Sequence, residues 1–195
     1  MRDIPVGNGS LLVNFDDKYQ IRDIYFPHVG QENHTEGYPF RFGVWADGEF
    51  SWIYEDEWTR ELKYVSETLV TEVRLVNHSL GIEIVSNDTV ASHENIFLRR
   101  VRVKNLWEQK RDVRIFLHQD FRISESKIGD TAFYDPESES LIHYKRNRYF
   151  LINTAPHFDE FATGRKAFRD QEGTWRDAED GTLHGGVITE GSVDS

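Results

Sequence analysis

The sequence predicts an all-β fold, an antiparallel sandwich or barrel. Short runs of β-branched and aromatic residues follow one another over residues 11–154, and Gly, Pro, Asn and Asp separate them. Thirteen Phe, eight Tyr and five Trp supply the aromatic side chains that sheets favour. A length of 195 residues suffices for one domain with a sizeable core. We therefore expect a single β-sandwich domain over residues 1–195, with one long irregular or partly helical excursion near residues 156–186.

The N-terminal region predicts a hairpin. Leu11, Val13 and Phe15 recur at the two-residue period of a strand with one buried face. Turn residues follow at 16–18, and a second extended run covers residues 21–26. Asp47-Gly48 is a strong signal for another tight hairpin. Similar patterns predict strands at residues 40–45, 49–54, 62–65, 69–76, 80–85, 97–104, 131–134, 141–145 and 149–154.

The clearest half-buried strand is predicted at residues 113–123. Its apolar and polar residues alternate, so that one face would meet the core and the other the solvent. The apolar face comprises Val113, Ile115, Leu117, Phe121 and Ile123, and the polar face comprises Arg114, His118, Asp120 and Arg122.

The alternation ends at Pro156. Residues 160–162 would allow one helical turn, and residues 186–188 predict one more strand. Loops of the length of 156–186 are uncommon unless they bind something. This excursion is therefore a place to look for function.

Composition and charge exclude several classes of protein. A net charge of −11 argues against a nucleic-acid partner, because phosphates require a basic surface. The absence of cysteine excludes disulfides and thiolate chemistry. The eight histidines show no metal-ligand spacing, so we expect neither a metal nor another cofactor. No apolar run approaches the length of a membrane span and no secretory leader is apparent, so we expect no membrane partner and a cytoplasmic location.

The first candidate site is a loop formed by Gln31, Glu32, Asn33 and His34. It places amide, carboxylate and imidazole groups side by side, a density that a mere connection does not need. Two interpretations stay open here. The loop forms either a contact with another domain or a purely local hydrogen-bond network.

The second candidate site lies in the excursion and comprises Trp175, Arg176, Asp177, Glu179 and Asp180. An indole face can stack on a sugar ring while carboxylates bind its hydroxyl groups. An internal network of ion pairs that holds the long segment in place is the commoner arrangement, and we favour it. A separate aromatic group, Trp45, Trp52 and Tyr54, is best explained by packing across the predicted hairpin, with a sugar-stacking platform as the alternative.

Two stretches of the sequence resemble the prokaryotic proteins of glycoside hydrolase family 15, the glucoamylase, glucodextranase and trehalase group. The first consists of Gly7-Asn-Gly-Ser-Leu-Leu-Val13 and Ile21-Arg-Asp-Ile-Tyr-Phe-Pro-His-Val-Gly-Gln-Glu-Asn-His34. The second consists of Ala162-Thr-Gly-Arg165, Thr174-Trp-Arg-Asp-Ala-Glu-Asp-Gly181 and Gly191-Ser-Val-Asp-Ser195.

The resemblance implies a galactose-mutarotase-like β-supersandwich that precedes an (α/α)6 barrel with two catalytic glutamates. Those 195 residues hold no such barrel, so we expect no catalytic residue in this chain. The resemblance also implies further strands beyond Ser195. A sandwich truncated there would expose a sheet edge, and we expect weak self-association or marginal stability in isolation.

Three hypotheses about function follow. The chain is a non-catalytic domain of a hydrolase acting on α-glucosidic bonds, with its own C-terminal catalytic domain and an α-glucan or disaccharide as partners. Alternatively, it is an autonomous carbohydrate-binding module. The third hypothesis is a mutarotase-like sugar epimerase, for which His118 and Asp120 would supply the histidine and carboxylate.

Overall fold

The computed structural model describes residues 3–126, 128–165, 173–185, 189–191 and 193–195. Over these residues the backbone forms short strands and three single helical turns. The strands are β1 Ile4–Gly7, β2 Leu12–Phe15, β3 Ile21–Tyr25, β4 Arg41–Ala46, β5 Glu49–Trp52, β6 Trp58–Tyr64, β7 Thr71–Asn77, β8 Ile82–Val90, β9 Phe97–Asn105, β10 Val113–His118, β11 Asp130–Asp135, β12 Ser140–Lys145, β13 Arg148–Ile152, β14 Gly164–Arg165, β15 Thr189–Gly191 and β16 Val193–Asp194. The helical turns are α1 Thr174–Asp177 and two 3-10 turns, Ile123–Glu125 and Ala178–Asp180.

The strands form antiparallel sheets, which confirms the predicted all-β class. The strand orders are β1-β2-β3, β10-β4-β5, β6-β7-β8-β9, β13-β12-β11-β15 and β14-β16. Most neighbours in space are also neighbours in sequence, because short turns join them into meanders. The pairings of β10 with β4, β11 with β15 and β14 with β16 close longer connections.

The predicted N-terminal hairpin is confirmed. Leu11, Val13 and Phe15 are buried, and β2 pairs with β3 around the turn at residues 16–20. The sequence analysis missed β1, which pairs with β2 at the edge of this sheet. Pro5 lies inside β1, and proline is tolerated in strands mainly at such edges.

The second predicted hairpin is also confirmed. Asp47 and Gly48 join β4 to β5 with positive φ angles of 51° and 98°. This conformation matches the right-handed twist of the flanking strands. It places Trp45 opposite Phe50 across the pair.

The long strand predicted at residues 113–123 is wrong in two respects. The strand β10 ends at His118. Gln119 still exchanges two backbone hydrogen bonds with Ser195, and the chain then enters a 3-10 turn that starts at Ile123. Its burial pattern also differs, because Leu117 is 38% exposed whereas Phe116 and His118 are 7% and 3% exposed. The part of β10 that carries Phe116 and His118 is buried because the excursion packs over it, so alternation alone assigned the solvent side incorrectly there.

The helical turn predicted at residues 160–162 is also wrong, since α1 begins later, at Thr174. The strand predicted at residues 186–188 lies outside the described residues. Elsewhere the predicted strands are present, but β6 begins earlier than expected and β8 extends to Val90. No helix in the described part of the chain is long and apolar enough to cross a membrane.

The main core lies between the sheets and contains a buried ion pair. Asp88 on β8 is fully buried, and its carboxylate accepts a 2.7 Å hydrogen bond from Arg99 on β9. The Tyr19 hydroxyl and the Thr71 hydroxyl donate to the same carboxylate at 2.5 and 3.0 Å. The guanidinium of Arg99 also lies 5.3 Å from the centre of the Phe15 ring. Hydrogen bonds and aromatic faces thus compensate both buried charges.

Candidate functional site

The loop at residues 30–34 is fastened at His34, whose side chain is fully buried. The ring nitrogen Nε2 lies 2.6 Å from the Phe26 carbonyl oxygen, and Nδ1 accepts a hydrogen bond from the Ser124 amide at 3.1 Å. A carbonyl can only accept, so Nε2 carries the proton and the ring is neutral. Burial lowers the pKa of His34 in agreement with this state.

Asn33 holds the same loop to β3. Its side-chain oxygen accepts from the Ile24 amide at 3.3 Å and from the Thr35 amide at 3.1 Å. Its side-chain nitrogen donates to Asp23 at 2.9 Å. The Asn33 side chain therefore supplies the hydrogen-bond acceptor that a neighbouring strand would otherwise offer to the Ile24 amide of β3.

Glu32 joins the loop to β13 by a two-point ion pair. Arg148 contacts both carboxylate oxygens, at 3.1 and 2.9 Å, and the Ser124 hydroxyl donates to one of them at 2.8 Å. Arg148 lowers the pKa of Glu32, so this carboxyl stays ionised. Gln31, by contrast, is exposed.

These contacts decide part of the question that the sequence left open. The side chains of Glu32, Asn33 and His34 form a local network with β3, β13 and the 3-10 turn at Ile123–Glu125. A contact of this loop with another domain stays a prediction, and Gln31 is the residue with the most exposed side chain for it.

The excursion packs its helical turns on the outer face of the β10-β4-β5 sheet. Trp52, Phe116 and Ala178 form a small buried cluster, separate from the main core. The Trp52 indole nitrogen donates to Glu179 at 3.0 Å. The hairpin aromatics and the second candidate site, which the sequence treated separately, thus lie against each other.

A second contact depends on a glycine. Gly181 has a φ of 91°, and a Cβ atom at this position would lie 2.5 Å from the Trp45 indole nitrogen. Arg114 contacts both residues of this pair. Its guanidinium lies 4.7 Å from the centre of the Trp45 ring and donates to the Gly181 carbonyl oxygen at 2.7 Å. Only glycine combines this backbone conformation with such a close approach.

The hairpin aromatics are packed within the molecule, with Trp45 opposite Phe50 in the pairing of β4 with β5. Trp52 is 1% exposed, and its ring stacks nearly parallel to Tyr54 at 6.4 Å and edge-on to Phe50 at 4.8 Å. The alternative of a sugar-stacking platform is wrong for Trp52, because the excursion covers it. Trp45 and Tyr54 are half-buried in the same contact.

The carboxylates of the second candidate site have partners within the segment. Asp177 contacts the His184 ring at 2.7 Å and its amide at 2.8 Å, and it raises the pKa of His184. Asp180 accepts from the amide and the hydroxyl of Thr182, which lowers the pKa of Asp180. Such local bonds are typical of turns.

Some of the same residues border an open polar depression. Trp175 itself is half-buried, and its ring lies 4.9 Å from the guanidinium of Arg41 and 5.0 Å from that of Arg176. The depression beside it is lined by Thr163, Thr174, Arg176, Asp177, Asp180 and His184. Hydroxyl, guanidinium, carboxylate and imidazole groups therefore face one hollow.

A buried polar junction lies beneath Trp175. His118 is 3% exposed, with Nδ1 at 3.1 Å from the Arg41 guanidinium and Nε2 at 3.2 Å from Asp194. The same Asp194 oxygen accepts from the Thr174 amide at 3.1 Å. The sequence analysis offered Asp120 as the carboxylate partner of His118. In the structure the ring contacts Asp194, and Asp120 also acts on it through its charge.

Arg41 and Asp194 are the residues that the sequence analysis did not assign to any site. Asp194 nevertheless lies in the C-terminal stretch that carries the resemblance, as do β14 and Thr174. The structure brings these three stretches together, because Gly164 pairs with Asp194 and a Cβ atom on Gly164 would lie 2.7 Å from Thr174. The resemblance was therefore the one signal that pointed to Asp194, whereas Arg41 had none.

Comparisons with known proteins agree with this architecture. No family model matches the sequence. An uncharacterized glycosyl hydrolase of Methanocaldococcus jannaschii is 27% identical over 193 residues, which are 96% of this chain and 30% of the relative. A bacterial glucoamylase solved in complex with acarbose matches the fold with a TM-score of 0.80 and 11% identity, over 96% of this chain and 27% of the glucoamylase chain.

These matches confirm the resemblance to glycoside hydrolases of the glucoamylase type. The structural match shows that the described sheets have the fold of one part of the bacterial glucoamylase. This chain spans less than a third of the length of either protein, at 30% of the archaeal relative and 27% of the glucoamylase.

Proposed function

We propose that this chain is a non-catalytic N-terminal domain of a longer glucoamylase-type glycoside hydrolase. The observation that carries the proposal is the match of nearly the whole chain, 96%, to less than a third of a glycosyl hydrolase. The parent would cleave α-glucosidic bonds in oligosaccharides, polysaccharides or trehalose. This domain would stabilise and orient its catalytic barrel.

The electrostatics of the two candidate sites support a non-catalytic role. Glycoside hydrolysis needs a carboxylic acid that stays protonated near neutral pH, together with a second carboxylate. In the described residues Arg148 lowers the pKa of Glu32, and Thr182 lowers that of Asp180. Glu179 accepts from a buried indole, and Asp177 from a histidine. Each of these carboxylates serves a bond within the chain.

The test is glucose release from maltose, isomaltose, trehalose and maltodextrins. The 195-residue chain and the full-length polypeptide that contains it are assayed side by side. We expect release by the full-length polypeptide alone, and the preferred sugar then names the substrate class. Release by the chain itself would contradict the proposal.

One observation favours autonomous sugar binding as the second candidate function. The polar depression beside Trp175 is lined by the charged or titratable residues Arg176, Asp177, Asp180 and His184, together with Thr163 and Thr174. Calorimetric titration of the chain with maltotriose tests it. Binding that disappears in Arg176→Ala and persists in Gln31→Ala would support this function, and an absence of binding would contradict it.

A further inference from the structure

His118 lies between two charged side chains that both hold the start of the 173–185 segment. Arg41 contacts the ring at Nδ1 and, with the same guanidinium, covers Trp175 at 4.9 Å. Asp194 contacts the ring at Nε2 and accepts from the Thr174 amide. One imidazole thus connects both attachments of α1 to the sheet.

The partners determine the protonation state of the ring. Arginine is always charged in proteins and only donates, so Nδ1 of His118 must accept and carries no proton. Nε2 then carries the proton and donates to Asp194. The neutral imidazole is the single form that satisfies both contacts.

A second proton would break one of these contacts. An N–H at Nδ1 would face the N–H of Arg41 at 3.1 Å, and two positive charges would meet at a ring that is only 3% exposed. The contact with Asp194 would become stronger at the same time. Arg41 would therefore have to leave the ring, and its stacking on Trp175 would be lost with it.

We propose that His118, Arg41 and Asp194 form a pH-sensitive latch for the N-terminal end of the 173–185 segment. The charged groups facing the ring are Arg41 from β4, Asp194 from β16 and Asp120 from the chain after β10. The segment itself presents Thr174 and Trp175, which carry no charge. Near neutral pH the latch is closed, and acid opens it.

The pKa of His118 has the direction that this device requires. Burial lowers it from the ordinary value of 6.5, although the two nearby carboxylates act in the opposite direction. A lowered pKa in the folded state means that the unfolded chain binds the proton more tightly. The closed state therefore loses stability as pH falls from about 6.5 toward the lowered value.

Opening would be confined to one end of the segment. Glu179 is held by the Trp52 indole and Gly181 by Arg114, and neither contact includes His118. Thr174 and Arg176, which line the polar depression, lie at the end that the latch controls. If the depression binds sugar, as the second candidate function states, acid would weaken that binding. The latch itself does not depend on sugar binding.

The test is an NMR titration of the 15N-labelled 195-residue chain between about pH 7.5 and about pH 4.5. We expect the Thr174 amide and the Trp175 indole signals to shift together, with a midpoint below 6.5. Amide exchange at Thr174, corrected for intrinsic pH dependence, should become about tenfold faster at the acid end. The shift should be absent in His118→Asn, whose amide oxygen can still accept from Arg41.

His184→Gln is the matched control, because it removes another titrating histidine from the same segment and should leave the shift in place. Signals of Thr174 and Trp175 that stay constant to the acid end, or that titrate equally in His118→Asn, would overturn the latch. Should His118→Asn fail to fold, the imidazole nitrogen shifts of the wild-type chain decide. A proton on Nδ1 of His118 at neutral pH would overturn the proposal, and a bare Nδ1 that gains a proton as the Thr174 signal moves would support it.

Discussion

The loop at residues 30–34 and the segment at residues 173–185 are similarly rich in charged and polar side chains, yet the chain holds them differently. The buried imidazole of the loop, His34, bonds two backbone groups, the Phe26 carbonyl and the Ser124 amide. The buried imidazole beneath the segment, His118, lies instead between two ionisable side chains, Arg41 and Asp194. Density of polar groups therefore does not distinguish a rigid joint from a surface that can respond to its surroundings. The identity of the partners does.

The largest expected effect comes from His34→Ala in the loop. It removes a fully buried ring that packs on Phe150 at 4.8 Å, and it leaves the Ser124 amide and the Phe26 carbonyl without partners. We expect a loss of about 3 kcal/mol in the free energy of unfolding, measured by urea denaturation. The exposed neighbour offers the control, Gln31→Ala, with a change of about 0.5 kcal/mol or less. Equal effects of the two variants would contradict the description of the loop as a structural joint.

The next effect tests the packing of the segment, with Gly181→Ala. The new methyl group would combine an unfavourable φ of 91° with a contact of 2.5 Å to the Trp45 ring. We expect a loss of about 2 kcal/mol and faster proteolysis of the segment. Gly9→Ala has a similar φ of 94° and open space around it, so it measures the backbone contribution alone. The packing contact would be disproved if Gly9→Ala cost as much.

A smaller effect is expected at Glu179. Glu179→Ala leaves the buried Trp52 indole without its acceptor, at a cost of about 1 kcal/mol by thermal or urea unfolding. Glu179→Gln keeps an oxygen in place and should be close to neutral. If both variants unfold like the wild type, the Trp52–Glu179 bond does not contribute to holding the segment.

The smallest effect concerns the exposed pair of His184 and Asp177, and its sign is opposite to that of the latch. Asp177 raises the pKa of His184, so the pair stabilises its turn at pH values below 6.5 and is lost as pH rises through the raised value. Amide exchange at His184, which donates to Asp177 at 2.8 Å, should become faster on the alkaline side. His184→Gln should abolish this pH dependence. A His184 that titrates at or below 6.5 would rule out the pairing.

The sequence was sufficient for the fold class and for most strands, because turns and alternation are local properties. It failed where burial depends on distant residues. The face of β10 that carries His118 was expected at the surface, but the excursion, some sixty residues later in the chain, covers it. The bond that holds Thr174 of the excursion in place comes from Asp194, a further twenty residues along the chain. Short pairings such as β14 with β16 carry no periodic signal at all.

The candidate residues show the same limit. For Glu32 and Asn33 the sequence left a local network and a domain contact equally open, because their polar side chains suit both. The partners of Glu32 in the network are Ser124 and Arg148, which lie 92 and 116 residues away in the chain. The junction of Arg41, His118 and Asp194 joins three distant parts of the chain. Nothing in the local sequence at Arg41 distinguishes it from any other arginine in a strand.

The ion pair in the main core has a consequence for how β8 and β9 find each other. Asp88 lies directly opposite Arg99 in this pairing. A slip by one residue would put the two side chains on opposite faces of the sheet, and a slip by two would set Asp88 against Val101 or Phe97 and leave two unpaired charges in an apolar interior. This single pair therefore favours the correct alignment of β8 with β9 in the closed sandwich.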